Sequence, residues 1–529
     1  MARLRAKLIT IPWELEVPTL GLACLAAVTP PEIDVCIVDL LRERLWLEEP
    51  VDLVGITAST PRIRAAYALA DFYRARGVKV VLGGHHVTAM PAEALAHADA
   101  IVTGEGEDAW ARLCAQMLTD PAQVQGIYRG GAPDLAALPL PRTDLMKFER
   151  YQSFYYPIIA SRGCPEACSF CFAKRMTHGY RTYPIRHVLE QVRRRPRWVR
   201  GLYFVDDNLA GDLEYARELL RALAREGAQV PFGMQVRHEF SEDPENLRLA
   251  REAGCALISS GFESVNQRSL DRVGKNANAE RYAALVAAIQ AEGIIASGNW
   301  MFGFDQDGPD TFALTWDFLQ RSRIWHCSFT TEIPFPGTAS HARYKREGRI
   351  LTDAYEDYIG KDRVVVRPLG MTPEELRAGV RWLTRQYYSV RHRRRLARDA
   401  ARNPHFLPQF RGLMRQPLIS FLNSFQVFLY TYRMVPTLRW LYDRLVPYNP
   451  HRYVRDVFRR TNFWRSTFEP AVVSAPSWAP PEDAGRRFYD QAGTLRPGGR
   501  VLELAAAGAA RAEIAPQAPL PAHEEHEPG

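Results

Sequence analysis

The chain has 529 residues, of which 47% are hydrophobic and 24% charged, and a formal net charge of +8. That length exceeds one ordinary domain, so several are expected, each able to bury its own core. The composition is that of a soluble globular protein, and the charge is too mild to single out nucleic acid as a partner.

The N-terminus, MARLRAKLITIPWELEVPTLGL, lacks the apolar core of a secretory signal. No run of 18 uncharged apolar residues occurs before residue 400. With eight cysteines, three of them clustered, the sequence reads as a cytoplasmic protein whose thiols serve metal or catalysis rather than disulfides.

Residues 1–125 alternate strand and helix patterns. KLITI, DVCIVDL, DLVGITAS, KVVLGG and AIVTGEG are β-rich runs ending in polar or glycine residues, with RIRAAYALADFYRARG and PAEALAHA between them. This alternation predicts a parallel, doubly wound, Rossmann-like sheet over 1–130. Ligands of such sheets bind beyond the carboxyl ends of the strands. Those ends carry Thr57, Ser59, Thr60, Gly83, Gly84, His85, His86, Gly104, Glu105, Gly106 and Glu107.

GIYRGGAPDLAALPLPRTDL, from residue 126, is rich in Pro and Gly and reads as a linker, placed at 131–150. A second β/α series spans 151–345. YYPIIAS, GLYFVDDN, PFGMQVR, ALISSGFES, ASGNWMFGF and CSFTTEIPF supply six strands of a partial or full barrel. Chemistry in such a fold collects at the strand C-termini. Residues 346–470 read as a helical C-terminal region. Within it, RHRRRLARDAAR (391–402) is a solvated helix face, and PLISFLNSFQVFLYTY (417–432) is a buried or interfacial helix, too short and polar for a span. The Ala/Pro-rich stretch 471–529 reads as a disordered tail.

At the end of the first barrel strand stands SRGCPEACSFCFAK, with Cys164, Cys168 and Cys171 inside eight positions. Structural zinc takes four protein ligands, and a ferredoxin-type cluster takes four cysteines. Here no fourth cysteine is near, so C-x3-C-x2-C leaves one metal corner open to a substrate.

CPEACSFC, with Phe170 before its last cysteine, resembles the signature loop of the radical SAM superfamily. The resemblance implies a [4Fe–4S] cluster on Cys164, Cys168 and Cys171, with S-adenosyl-L-methionine (SAM) on the fourth iron and cleaved to a 5′-deoxyadenosyl radical. It also implies SAM contacts along the strand ends. Asp206 or Asp207 in YFVDDN lies near the methionine amino group, and Gln235 and Arg237 in GMQVR near its carboxylate or the ribose. Gly261, Glu263 and Ser264 in SGFESVNQRSLDRVGK line the cofactor, and Met301 in MFGFDQD lies at the adenine edge.

PTLGLACLAA, CIVDL, DLVGITAST, VVLGGHHVT, PAEAL and AIVTGEGEDAW resemble the cobalamin-binding domain that precedes many radical SAM domains; the two resemblances together cover roughly residues 8–340. They imply that Thr57, Ser59, Thr60, Gly83, Gly84, His86, Gly104, Glu105 and Gly106 contact cobalamin. The D-x-H-x-x-G motif is absent, and His85 stands where the family usually has proline, so base-off cobalamin without a histidine from that motif is implied. PFPGT (334–338) resembles a subgroup that includes magnesium-protoporphyrin ester cyclase and the hopanoid and natural-product C-methylases. That subgroup implies a C-methyltransferase for an unactivated carbon, working through the deoxyadenosyl radical and methylcobalamin. An oxidative cyclase and a cobalamin or iron–sulfur sensor stay as alternatives. The implied partners are a small molecule, large and apolar in several relatives, and an external electron donor of flavodoxin or ferredoxin type, with peripheral membrane contact left open. No catalytic residue is singled out; Cys327 and the aromatics near the sixth strand are candidates by position alone.

Overall fold

The computed structural model describes residues 3–402, apart from 12–18, 41–42, 44, 48, 149–154, 200, 227–229 and 361–362. The expected helix at 417–432 and tail at 471–529 lie outside the described residues. Among the described residues, no helix is long and apolar enough to cross a membrane.

The first half contains β1 (Leu4–Ile11), α1 (Gly21–Ala27), β2 (Ile33–Asp39), β3 (Leu53–Ala58), α2 (Ile63–Arg74), β4 (Lys79–Gly83), α3 (His85–Ala89), α4 (Pro91–Leu95), β5 (Ala100–Thr103), α5 (Glu107–Thr119) and β6 (Gly126–Arg129). Its strands form one sheet in the order β2-β1-β3-β4-β5-β6, parallel throughout. Helices cover both faces, so the strands are apolar on both sides: Val54, Ile56, Val80, Leu82 and Ile101 on one face and Leu53, Val81 and Ala100 on the other are all buried. Each such side chain contributes roughly 1.5–3 kcal/mol of burial. Gly126–Arg129, read from the sequence as the start of a linker, instead adds an edge strand to β5. Its Pro/Gly-rich sequence hid a strand that needs only a neighbour's backbone.

The second half begins with β7 (Tyr155–Ile158), β8 (Ser161–Arg162), α6 (Ala173–Met176), β9 (Arg181–Thr182), α7 (Ile185–Arg193) and β10 (Gly201–Phe204). It continues with α8 (Leu213–Arg225), β11 (Phe232–Gln235), α9 (His238–Glu242), α10 (Pro244–Glu252), β12 (Cys255–Glu263), α11 (Gln267–Arg272), α12 (Tyr282–Ala291), β13 (Ile295–Phe302), α13 (Asp310–Ser322) and β14 (His326–Thr331). The six long strands pair in parallel in the order β14-β13-β12-β11-β10-β7, the open (β/α)6 barrel expected from the sequence. On the concave side, Asn299 Nδ2 donates to Ser259 Oγ at 3.2 Å, and Ser328 Oγ donates to Asn299 Oδ1 at 2.8 Å. On the neighbouring positions, one after Asn299 and one before Ser328, the period-2 alternation sends Trp300 and Cys327 into the helical layer, where both are buried. Burial pushes the Cys327 thiol up to about 12, and it does not face the lumen.

After the barrel come α14 (Ala339–Arg346), α15 (Pro373–Tyr387) and α16 (Val390–Arg402). A capping box of Thr372 and Glu375 starts α15. Between α14 and α15 the chain is largely irregular rather than helical, with a short bridge from Ile350 to Val366. This strap packs back on the first half: Arg64 Nη2 donates to Asp353 O at 3.1 Å, and Tyr355 OH donates to Glu93 Oε2 at 3.2 Å.

Candidate active site

The three clustered cysteines lie on a loop closed by its own clip. β8 and β9 pair antiparallel, Ser161 with Thr182 and Arg162 with Arg181, bracketing 163–180. Gly163, at φ +79°, makes the turn into the loop. A Cβ there would strike the Gly179 carbonyl and come within 2.6 Å of Thr177 Oγ1. Cys171 N donates to Cys168 O at 3.1 Å, and Ser169 N donates to Val273 O at 2.9 Å. Ser340 N donates to Ser169 O at 2.9 Å, and the two serine hydroxyls are 3.1 Å apart. The loop is therefore held from the β12 side and from α14.

Burial raises all three thiol pKa values, and with the neighbouring Asp207, Cys168 and Cys164 it brings that of Cys171 to about 11. Arg237 opposes this at Cys164, and Lys275 and Arg237 oppose it at Cys168. Among the described residues, no three His, Cys, Asp or Glu side chains converge as a lone ion would require. Three closely spaced cysteines flanked by two cations that favour the thiolate form of two of them are a donor set suited to a cationic iron–sulfur core.

The strand ends divide the expected SAM contacts. Asp206 is buried, and its carboxylate accepts from Ala160 N, Ser161 N and Ser161 Oγ. Burial nevertheless raises its pKa to about 7. It secures the turn between β7 and β8 and does not open on the thiols. Asp207 is exposed, yet the surrounding protein raises its pKa, and its charge acts on Cys164 and Cys171. Gln235 Nε2 donates to Asp207 O at 3.2 Å. Arg237 donates to Glu239 at 2.7 Å and to Asn276 O at 2.5 Å, and lies 3.5 Å from Glu166 inside the cysteine loop.

β12 bulges between Gly261 and Glu263. Glu263 sits at φ +61°, a left-handed conformation rare outside glycine, and its carboxylate receives Lys275 Nζ at 3.2 Å. A Cβ on Gly261 would crowd both groups. Ser264 is fully buried and turned towards Asp307, 3.5 Å away, so it does not join them. Met301 shares a strand face with Asn299, and the Phe170 ring lies 6.1 Å from that of Phe304. Lys275 was missed from the sequence although it closes the quoted β12 motif; its place after the Gly274 turn was the available signal.

The facing edge belongs to the first sheet. Gly84, at φ +100°, leaves no room for a Cβ against Thr57 Oγ1. Ser59 Oγ is buried without a hydrogen-bond partner. An orphaned hydroxyl and a bare glycine backbone at strand ends suit a ligand rich in amides, as cobalamin is. Gly104 N donates to Thr88 Oγ1 at 3.0 Å, and Gly106 packs against Leu25.

Three expected cobalamin contacts are engaged elsewhere. His86 is buried, with Nδ1 3.2 Å from Thr60 Oγ1, Nε2 3.4 Å from Glu93 Oε1 and the Tyr355 ring 4.6 Å away. It and Thr60 tie α3 to the strap. Glu105 turns towards the barrel, ion-paired with Arg162 and Arg181. The residue turned to the crevice is instead His85. It is exposed, its ring is 5.5 Å from that of Phe172 in the cysteine loop, and burial by its surroundings lowers its pKa, keeping it neutral.

Comparison with known proteins agrees with this division. The radical SAM superfamily model matches residues 158–319, and the B12 binding domain model matches residues 6–114. The bacteriochlorophyllide d C-12(1)-methyltransferase of Chlorobaculum tepidum is 31% identical over 324 residues, 58% of this chain and 69% of that protein. The C-8(2)-methyltransferase of the same organism is 28% identical over 356 residues, 64% of this chain and 78% of its own. In fold, the chain is similar to the radical S-adenosylmethionine methyltransferase TsrM of Kitasatospora setae, solved with cobalamin and a [4Fe–4S] cluster. That likeness has a TM-score of 0.55 at 18% identity and covers 74% of this chain and 86% of that one. With a B12-binding domain followed by a radical SAM domain that carries the cysteine loop, this chain is an enzyme of the cobalamin-dependent radical SAM methyltransferase family, whose cofactors are a [4Fe–4S] cluster, SAM and cobalamin.

Proposed function

We propose that the chain methylates an unactivated carbon of a large, mostly apolar small molecule, with Cys164, Cys168 and Cys171 as the cluster ligands. The relatives named for bacteriochlorophyllide d support the substrate class. The observation that carries the site reading is the ring of charge beside the thiols: Asp207, Arg237 and Glu263 on successive strand ends, with Lys275 from the turn after α11. When bound, the cluster and SAM supply a carbon-centred radical, and cobalamin carries a methyl group to the carbon that loses hydrogen.

The chain's residues hold, orient and exclude. Asp207 and Glu263 are the anionic acceptors for the methionine ammonium, and Arg237 and Lys275 the donors for its carboxylate. The same two cations favour the thiolate form of Cys164 and Cys168 that iron requires. Gly261 gives the cofactor access to the backbone, and Phe170, Met301 and Phe304 form the apolar wall for its adenine. Across the crevice, Ser59, Gly83, Gly84 and Gly104 present hydroxyl and backbone groups to the corrin, and neutral His85 faces the gap between the two.

The required electron comes from a flavodoxin- or ferredoxin-type donor. All eight cysteines are free, which supports a reducing, cytoplasmic location. The test is anaerobic reconstitution with cobalamin, SAM and a tetrapyrrole such as bacteriochlorophyllide d. S-adenosylhomocysteine and 5′-deoxyadenosine formed together, with a product heavier by one CH2, are the expected result. Deoxyadenosine alone, with an oxidised or ring-closed product, would replace methylation by the cyclase reaction.

A further inference from the structure

A buried ion-pair cluster joins the two halves of the molecule, outside the proposed SAM contacts. Arg162 stands two residues before Cys164. Its Nη1 donates to Glu105 Oε2 at 2.8 Å and to Glu107 Oε2 at 3.0 Å, and its Nη2 donates to Glu107 Oε1. Across the β8–β9 clip, Arg181 donates to the other oxygen of Glu105 and, at 2.8 Å, to Pro133 O. His178 N also donates to Glu105, at 3.1 Å. The side chains of Arg162, Glu105 and Glu107 are 9%, 3% and 7% exposed. Two cations thus meet two anions, and the cluster is neutral.

The topology gives this cluster its meaning. Both glutamates leave the carboxyl end of β5, in Gly104-Glu105-Gly106-Glu107, on the edge where a doubly wound sheet binds its ligand. Both arginines leave the clip that closes the cysteine loop. A forked, doubly bonded guanidinium fixes direction as well as distance. Neither carboxylate can move away alone without leaving the buried cluster with an excess positive charge. The strand-end crevice and the cysteine loop therefore cannot rearrange independently.

We propose that Arg162 is a positioning residue that couples the two cofactor sites energetically, so that a cluster on the cysteine loop tightens cobalamin binding in the crevice, and the reverse. The coupling rests on the cofactor reading above. Ordering the loop orders the Glu105–Glu107 turn through Arg162, and a ligand of that turn then loses less freedom on binding.

The test uses the full chain under anaerobic conditions. Hydroxocobalamin affinity is measured with and without reconstitution of the [4Fe–4S] cluster, and the EPR spectrum of the reduced cluster is recorded with and without cobalamin. We expect the cluster to tighten cobalamin binding by about 5-fold or more, and cobalamin to shift the cluster spectrum. Arg162→Lys keeps the charge but loses the fork, and Glu107→Gln keeps the shape but loses one charge. Each should still take up both cofactors, with the coupling factor near one and the spectral shift gone. A purely structural role would change stability and leave the coupling factor alone. Should Arg162→Lys fail to assemble its cluster, Glu107→Gln decides, since Arg162 then keeps Glu105. Uptake of both cofactors by the wild type without coupling, or undiminished coupling in the variants, overturns the proposal. A wild-type chain that takes up no cluster or no cobalamin overturns the cofactor reading and the coupling with it.

Discussion

The guanidinium of Arg237, at the end of the third barrel strand, stands 3.5 Å from the carboxylate of Glu166, between Cys164 and Cys168. The same side chain holds Glu239 and the Asn276 carbonyl. It therefore joins the cysteine loop to the turn that carries Lys275, while keeping a cation beside two thiols.

Replacing Arg237 by Gln should weaken SAM binding by roughly 10- to 100-fold, the worth of one charge-assisted hydrogen bond. Arg237→Lys should recover part of this, because a single ammonium cannot hold all three acceptors. Equilibrium dialysis of SAM against samples matched for iron content measures it. Unchanged affinity in Arg237→Gln would remove Arg237 from the proposed carboxylate site.

Two glycines of the cysteine loop offer a matched pair. Gly163 and Gly179 are both at φ +79°, so alanine at either costs roughly 1–2 kcal/mol of backbone strain. Only Gly163 is also crowded, by Gly179 O and Thr177 Oγ1; a Cβ on Gly179 would meet open space. Gly163→Ala should lose most of its iron after reconstitution, and Gly179→Ala should keep it. Equal iron in the two would mean that the clip is not what shapes the loop.

The sequence carried most of the architecture because each barrel strand ends in a polar signature and the cysteine spacing is local. It carried less of the site because position along a strand does not say which way a side chain turns. Asp206 and Asp207 are adjacent and chemically alike, yet one is locked under Ser161 and the other opens on the thiols. His85 and His86 divide in the same way, since α3 begins at His85 and rotates the next ring into the core. The Arg162–Glu105–Glu107 cluster spans more than fifty positions, and no local pattern announces it.

His86→Ala should lower stability by about 2–4 kcal/mol, through a cavity beside Tyr355 and the loss of polar contacts to Thr60 and Glu93. The EPR spectrum of bound cob(II)alamin should not change, because the ring is walled off from the crevice. The two readouts are independent. A changed axial pattern in the spectrum would return His86 to the cobalt.

Glu332 gives a pH dependence with a definite sign. It lies at the end of the last barrel strand, buried. Tyr344 OH donates to its Oε2 at 2.5 Å. Burial raises its pKa from 4.5 to about 7, although the Tyr344 and Ser340 hydroxyls work against the rise. Between those values the folded chain holds a proton that the unfolded chain has released. Unfolding then releases protons, so stability falls as pH rises through this window, and the loss is complete above about pH 7. Its ceiling is about 3 kcal/mol for this group. Glu332→Gln keeps an acceptor for Tyr344 and has no charge to bury. It should match the wild type near pH 4.5 and exceed it at pH 8. Denaturant midpoints of the two apo proteins across this range measure the difference. Parallel curves would show that Glu332 is ionised in the folded chain throughout; the neighbouring Arg343, whose charge lowers its pKa, would then outweigh burial.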